Sequence, residues 1–161
     1  MKPRVIIITG TPGTGKSTLA KALSRNLNLP RLDLHRYYKY IAVAYNRKKR
    51  CYDVDLQQFE EIVTKKLQEN KKGLIVDTHI SHWLPKRLVR LGIVLQCSDL
   101  KQLQRRLKRR HYSAPKIQEN LEAEIFQVCR TEAEEQGHTI KVFDTAAETT
   151  AAIAAKIRKY L

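Results

Sequence analysis

The 161-residue sequence predicts an α/β domain in which five strands form one parallel sheet flanked by helices, with residues 1–161 as a single unit. Three observations carry the prediction. Short β-branched runs alternate with longer stretches at helical spacing, the pattern of strand–helix–strand units with helices over both faces of a sheet. The first run, "VIIIT" at 5–9, is apolar without alternation and reads as a strand buried on both sides. It leads directly into "GTPGTGKST" at 10–18, which places that strand centrally with a site at the carboxyl ends of the strands.

The elements follow in order. Residues 16 to about 26 read as a helix with Leu19, Ala20, Leu23 and Leu27 on one face. A second short strand falls near 29–32, and residues 33–47 and 55–70 read as helices. In the latter, Leu56, Phe59, Ile62, Val63 and Leu67 repeat at helical spacing and Asp55 suits the N-cap. "GLIVD" at 73–77 is a third strand ending on an acid, and residues 92–96 a fourth. Residues 99–110 form a basic helix, and 115–136 the longest amphipathic pattern, with Ile117, Leu121, Ile125, Val128 and Cys129 in register. Residues 139–143 complete the sheet and 147–161 form a closing helix. There is no internal repeat, low-complexity tract or linker.

The composition, 42% hydrophobic and 29% charged, is ordinary for a soluble chain. No stretch approaches the ~20 apolar residues of a membrane span. The apolar run from Val5 to Ile8 is also shorter than a signal-peptide core of about 7–15 residues, so no membrane contact or secretion is expected. Cys51, Cys97 and Cys129 are widely spaced and form no CxxC pair, which fits a reducing, cytoplasmic setting better than a disulfide or metal framework. The net charge of +15 exceeds what an anionic nucleotide requires. It points to a larger anionic partner such as RNA, against the alternative of a generally basic proteome.

Gly10-x-x-x-x-Gly15-Lys16-Ser17 matches the phosphate-loop pattern at every defined position and sits between a predicted strand and a predicted helix. Backbone N–H groups of such a loop converge on phosphate oxygens, and the helix adds its positive end. Gly13, Thr14, Gly15, Lys16, Ser17 and Thr18 are therefore the expected ATP contacts. Lys16 reaches the β/γ-phosphates and Ser17 offers a hydroxyl to Mg²⁺. Asp77 closes "GLIVD" as the acid that holds the metal or its waters. His79, two residues on, either orients a water or substrate hydroxyl near the γ-phosphate or is a strand-end histidine hydrogen-bonded in place; His82 reads as structural. "KRRHYSAPK" at 108–116 suits a lid that closes arginines over a triphosphate, although Arg105, Arg106, Lys108 and Arg109 also read as a solvated face. Arg36 either grips a second substrate's phosphate or lies on the surface. Tyr37, Tyr38 and Tyr40 either stack on a base or pack.

"GTPGTGKST", "VDTHISH" and "RRHYSAPKIQENLEAEIFQV", in this order and spacing, resemble the adenylate kinase isoenzyme 6 family in its archaeal type, over about residues 4–145. The last motif is the most telling, because a basic lid, a tyrosine and a helix carrying Asn120, Glu122, Glu124, Ile125, Phe126, Gln127 and Val128 are not general kinase features. The resemblance implies a nucleoside-monophosphate-kinase-like phosphate-loop fold, with an NMP-binding segment near 33–53 and a lid near 109–119. It implies Mg²⁺-dependent phosphoryl transfer between ATP and AMP or another nucleoside monophosphate, with slow ATP hydrolysis. It also implies transient binding to ribosomal protein uS11 and the pre-ribosomal small subunit during late rRNA maturation. By the same resemblance Lys16, Asp77, His79 and Arg110 are catalytic, Arg110 also contacts ATP, and Asp33, Leu34 and Arg36 open the NMP segment. The chain departs from the family in four places. His111 stands where the lid commonly carries glycine, and Ser17 replaces a frequent threonine. Segment 45–53 is basic rather than acidic, and "DTAAETT" lacks the usual basic residue after the fifth strand.

Two other readings share the phosphate loop. In one, an ATP-driven assembly factor remodels a ribosomal particle and NMP phosphorylation is incidental. In the other, the acceptor is a different small molecule.

Overall fold

The "VIIIT" run is buried along its whole length, and this fixes the architecture around it. The computed structural model describes residues 4–46 and 51–161. The strands are β1 (Val5–Thr9), β2 (Arg31–Leu32), β3 (Ala42–Asn46), β4 (Cys51–Val54), β5 (Leu74–Asp77), β6 (Val89–Gln96) and β7 (Ile140–Asp144). The helices are α1 (Lys16–Leu27), α2 (Tyr38–Ile41), α3 (Leu56–Glu69), α4 (Leu100–Arg109), α5 (Ala114–Ile125), α6 (Val128–Glu135) and α7 (Thr150–Ile157). Five strands form a sheet of order β2-β5-β1-β6-β7, with every pairing parallel and β1 at the centre, as the sequence predicts.

Alternation along β1 divides the core into two layers. Val5 and Ile7 face Phe59, Val63 and Leu67 of α3, together with Leu84 and Leu88. Ile6 and Ile8 face Leu19 and Leu23 of α1 and Ile153 and Ile157 of α7. A strand that packs helices on both faces has no solvated side, so it carries no polar residue until Thr9. Helix starts are set by short side chains that accept orphan N–H groups. Asp55 Oδ1 accepts from Gln57 N and Gln58 N at 2.9 and 3.1 Å, Asp99 Oδ1 from Gln102 N at 3.0 Å, and Thr149 Oγ1 from Ala152 N at 3.2 Å.

Three expectations need correction. Residues 33–47 are not one helix. A 3₁₀ turn over Leu34–Tyr37 and the single turn of α2 give way to β3, which pairs antiparallel with β4 as a separate hairpin. "AVAYN" and "CYDV" are β-branched and aromatic enough to pair as strands, and that tertiary pairing overrides the helical spacing before them. Residues 47–50, the basic run within segment 45–53, lie outside the described residues. The amphipathic stretch 115–136 is two helices, because Gln127 adopts a left-handed φ of 54° between α5 and α6. Ile125 is consequently exposed rather than in register with a core face. The closing helix begins only at Thr150 and ends in a 3₁₀ turn over Arg158–Tyr160. Tyr37 and Tyr38 pack against the α3-side core, whereas Tyr40 is exposed.

Candidate nucleotide-binding site

The carboxyl ends of β1 and β5 deliver the site. After Thr9 the chain turns through Gly10 to Gly15 and enters α1 at Lys16. Gly10 is required sterically, since a Cβ there would lie 2.4 Å from the Leu95 carbonyl oxygen. Gly15 is required by its backbone, with φ at +95°, while a Cβ would meet nothing within 4 Å. Thr14 is buried and closes the loop internally, its Oγ1 donating to Thr11 O at 2.7 Å. Gly15 caps α1 without any side-chain acceptor, so the first N–H groups of the helix face the loop's mouth unclaimed by side chains.

Lys16 Nζ donates to Gly10 O at 2.7 Å and to Thr11 O at 3.0 Å. An ammonium has three N–H donors, so one is left for a phosphate oxygen. Burial lowers the Lys16 pKa to about 8, and the charge of Arg110 pushes in the same direction; Cys129, Asp77 and Glu124 oppose it. A triphosphate arriving beside Lys16 favours the protonated form.

Ser17 and Asp77, both expected at the metal, are brought together. Ser17 Oγ donates to Asp77 Oδ2 at 3.0 Å, and the Asp77 side chain is fully buried. Two hard oxygen donors side by side at a phosphate loop suit Mg²⁺, which takes few protein ligands and keeps phosphate oxygens and waters. The same two residues also contact Arg31. Its Nε lies 2.6 Å from Asp77 Oδ1, its Nη2 2.8 Å from Asp77 Oδ2 and 3.3 Å from Ser17 Oγ.

His79 follows β5 and is exposed. Protein packed around the ring nevertheless lowers its pKa to about 4, and the charges of Lys16, His35 and Lys116 add to the effect. Its imidazole is therefore neutral near pH 7 and able to accept a proton or a hydrogen bond. His82, by contrast, is buried behind β1, with Nδ1 2.9 Å from Thr9 Oγ1 and Nε2 2.8 Å from a Glu132 carboxylate oxygen that lies out of line for a hydrogen bond.

A cleft of about 670 Å³ opens on the other side of the loop. Gly13, Gly15 and Thr18 form its floor, Arg106, Arg109 and Arg110 one wall, and residues 145–150 the other. Arg110 sits at the end of α4, where the chain turns back into α5. Asp33 caps the 3₁₀ turn by accepting from His35 N at 3.2 Å, and Arg36 is exposed on that turn. Among the described residues no cluster of three or more His, Cys, Asp or Glu could hold a metal. No helix among the described residues is long and apolar enough to cross a membrane.

The profile of a family described as "AAA domain" matches residues 6–127. The adenylate kinase isoenzyme 6 homolog of Schizosaccharomyces pombe is 39% identical over 132 residues, covering 81% of this chain and 74% of that protein. The adenylate kinase isoenzyme 6 homolog of Dictyostelium discoideum is 37% identical over 134 residues, 80% and 73% of the two chains. This chain belongs to the adenylate kinase isoenzyme 6 family. The fold agrees more widely: deoxyadenosine kinase from M. mycoides superposes with a TM-score of 0.55 over 96% of this chain and 97% of its own, at 18% identity.

Within the adenylate kinase isoenzyme 6 framework, the departure at His111 has a structural reading. His111 holds a left-handed φ of 57° just past α4; its N–H donates to Lys108 O at 2.9 Å, and that of Tyr112 to Leu107 O at 3.5 Å. This is the Schellman arrangement, whose left-handed residue is usually glycine. Tyr112 packs beside Leu107, the apolar contact that accompanies the motif.

Sequence reasoning missed three contributors. Arg31 carries no motif and is found only because β2 pairs beside β5, Arg31 opposite Ile75. Arg106, read as part of a solvated face, instead donates from Nη1 to Gly13 O and to Thr145 Oγ1, both at 3.2 Å. It ties α4 to the phosphate loop and to the β7–α7 turn. Glu124 is buried, and its carboxylate accepts from Cys97 N at 2.7 Å, anchoring α5 to the end of β6. A lone acid on an amphipathic helix gives no sign of that partner.

Proposed function

We propose that this chain is a Mg²⁺-dependent adenylate kinase or broader nucleoside monophosphate kinase, moving the ATP γ-phosphate to AMP or another monophosphate and, more slowly, to water. One observation carries the reading: a phosphate loop with Lys16 at its centre has the Ser17–Asp77 oxygen pair on one side and an arginine-walled cleft on the other. That division suits a triphosphate lying through the loop, with its nucleoside in the cleft and its γ-phosphate beside Asp77 and His79.

In this reading Gly13, Thr14, Gly15, Ser17 and Thr18 offer backbone N–H groups to the phosphates, and Lys16 spans the β/γ-oxygens. Ser17 and Asp77 hold magnesium, directly or through water. When bound, the ion neutralises charge on the transferring phosphate. Arg110, as the lid near 109–119 closes, brings planar positive charge to the γ-phosphate and excludes water. Neutral His79 accepts a hydrogen bond from the attacking hydroxyl or water and orients it. Arg36 and the backbone around Asp33 receive the monophosphate in segment 33–53. ATP labelled in its γ-phosphate tests this: label appearing in a nucleoside diphosphate supports the kinase, and label found only in inorganic phosphate with every monophosphate offered contradicts it.

A second reading, an assembly ATPase acting in the cytoplasm on the small ribosomal subunit through uS11 and rRNA, is favoured by the net charge of +15 and by Lys101, Arg105, Lys108 and Arg109 exposed along α4. Binding to pre-ribosomal small subunits that weakens steeply with salt supports this role; indifference to the particles contradicts it.

A further inference from the structure

Arg31 makes the contacts to Asp77 and Ser17 that a metal ion would use. The Asp77 side chain is fully buried, and a buried carboxylate needs a compensating cation. Arg31 supplies it through a two-pronged contact, Nε to Oδ1 at 2.6 Å and Nη2 to Oδ2 at 2.8 Å, so both carboxylate oxygens are engaged. The same Nη2 stands 3.3 Å from the Ser17 hydroxyl, which itself donates to Asp77. The guanidinium therefore lies against both of the protein oxygens that would hold magnesium. It arrives there from β2, a two-residue edge strand, and its side chain retains 19% exposure, so it has a way out to solvent.

We propose that Arg31 is an intrinsic counter-cation of the nucleotide site, competing with divalent metal for Asp77 and Ser17 and letting the loop bind metal-free nucleoside triphosphate nearly as well as the metal complex. Its physical basis is charge. A triphosphate beside an uncompensated Asp77 is repelled, and either a metal or the Arg31 guanidinium cancels that repulsion. An uncharged residue at position 31 makes the metal necessary for tight binding. Arg31 thus sets the metal dependence of binding, as a positioning residue for Asp77. The proposal rests on the kinase reading in taking a triphosphate as the ligand.

The test uses the whole chain as wild type, Arg31→Gln, Arg31→Lys and the double variant Arg31→Gln/Asp77→Asn. Thermal unfolding is followed in MgCl₂ against NaCl of equal ionic strength, with no nucleotide. Magnesium alone should raise the midpoint of Arg31→Gln and leave wild type and the double variant unmoved. ATP affinity is then measured by calorimetry in EDTA and in magnesium. Wild type should differ by less than about threefold between the two conditions, and Arg31→Gln by at least about tenfold, which is about 1.4 kcal/mol. Arg31→Lys, which keeps the charge but loses the fork, should fall between and serves if the glutamine variant fails to fold. Equal magnesium responses in wild type and Arg31→Gln, or a wild-type affinity that collapses in EDTA, would overturn the proposal. Failure of wild type to bind ATP in either condition would instead sink the kinase reading, while the metal-only unfolding data still report on Arg31.

Discussion

Arg106 Nη1 lies 3.2 Å from the carbonyl oxygen of Gly13, so the basic helix α4 is fastened to the phosphate loop. The same nitrogen reaches Thr145 Oγ1, which in turn donates to Gln96 O at 3.2 Å. Floor and both walls of the cleft are thereby tied together. Arg106→Met keeps the apolar stem but removes the donors. It should lower folding stability by about 1.5–3 kcal/mol, the worth of hydrogen bonds from a charged donor, and weaken ATP binding by about tenfold through the loosened loop. Calorimetric titration with ATP checks this, and an unaltered affinity would reduce Arg106 to surface charge.

Lys16 gives the site a pH signature. Its pKa in the folded protein is lowered to about 8 by burial, so above that pH the side chain progressively loses its proton. Bound triphosphate favours the charged form, and binding then takes up a proton. ATP affinity should accordingly be flat below pH 8 and fall by up to about tenfold per pH unit above it. Lys16→Arg, which stays cationic, should show no such slope. Binding isotherms across pH 7 to pH 10 read this directly, and a slope shared by both proteins would assign the effect elsewhere.

His79 is predicted to act on the reacting groups rather than on affinity. In the proposed reaction its ring, kept neutral by burial and by the charges of Lys16, His35 and Lys116, would accept a hydrogen bond from the attacking group. His79→Ala should lower turnover by roughly 10²-fold or more, the range for loss of a general acid–base group, with ATP affinity within about threefold of wild type. Parallel losses in both would mark the residue as structural.

His111 stores backbone strain at a position that favours glycine. His111→Gly should raise stability by about 0.5–1 kcal/mol, because the left-handed conformation costs a residue with a Cβ more than glycine's entropy does. Urea unfolding of the two proteins measures this. A destabilised glycine variant would mean that the histidine side chain contributes contacts that outweigh the strain.

What the sequence made legible was local or periodic. The central strand, the phosphate loop and the cap at Asp55 depend on residues within a few positions of one another, and each is found where expected. The hairpin of β3 and β4 was not legible, because its strands are short and follow a helical turn, and only their pairing decides the conformation. Gln127 breaks α5 from α6 by its backbone alone, with no glycine or proline to announce it. In the site, Lys16, Ser17 and Asp77 follow from motif and strand end. Arg31 depends on strand order, and Arg106 on which face of α4 meets the loop, neither of which a single sequence displays.

The central claim is phosphoryl transfer from ATP to a monophosphate at the Lys16 loop. The most direct measurement is ADP formation from Mg·ATP by the purified protein, with and without AMP, alongside Lys16→Ala. AMP should sharply accelerate ADP formation, with ADP rising in step with AMP loss, and Lys16→Ala should abolish the reaction while remaining folded. ADP formation that ignores AMP, or that survives intact in Lys16→Ala, would contradict the account.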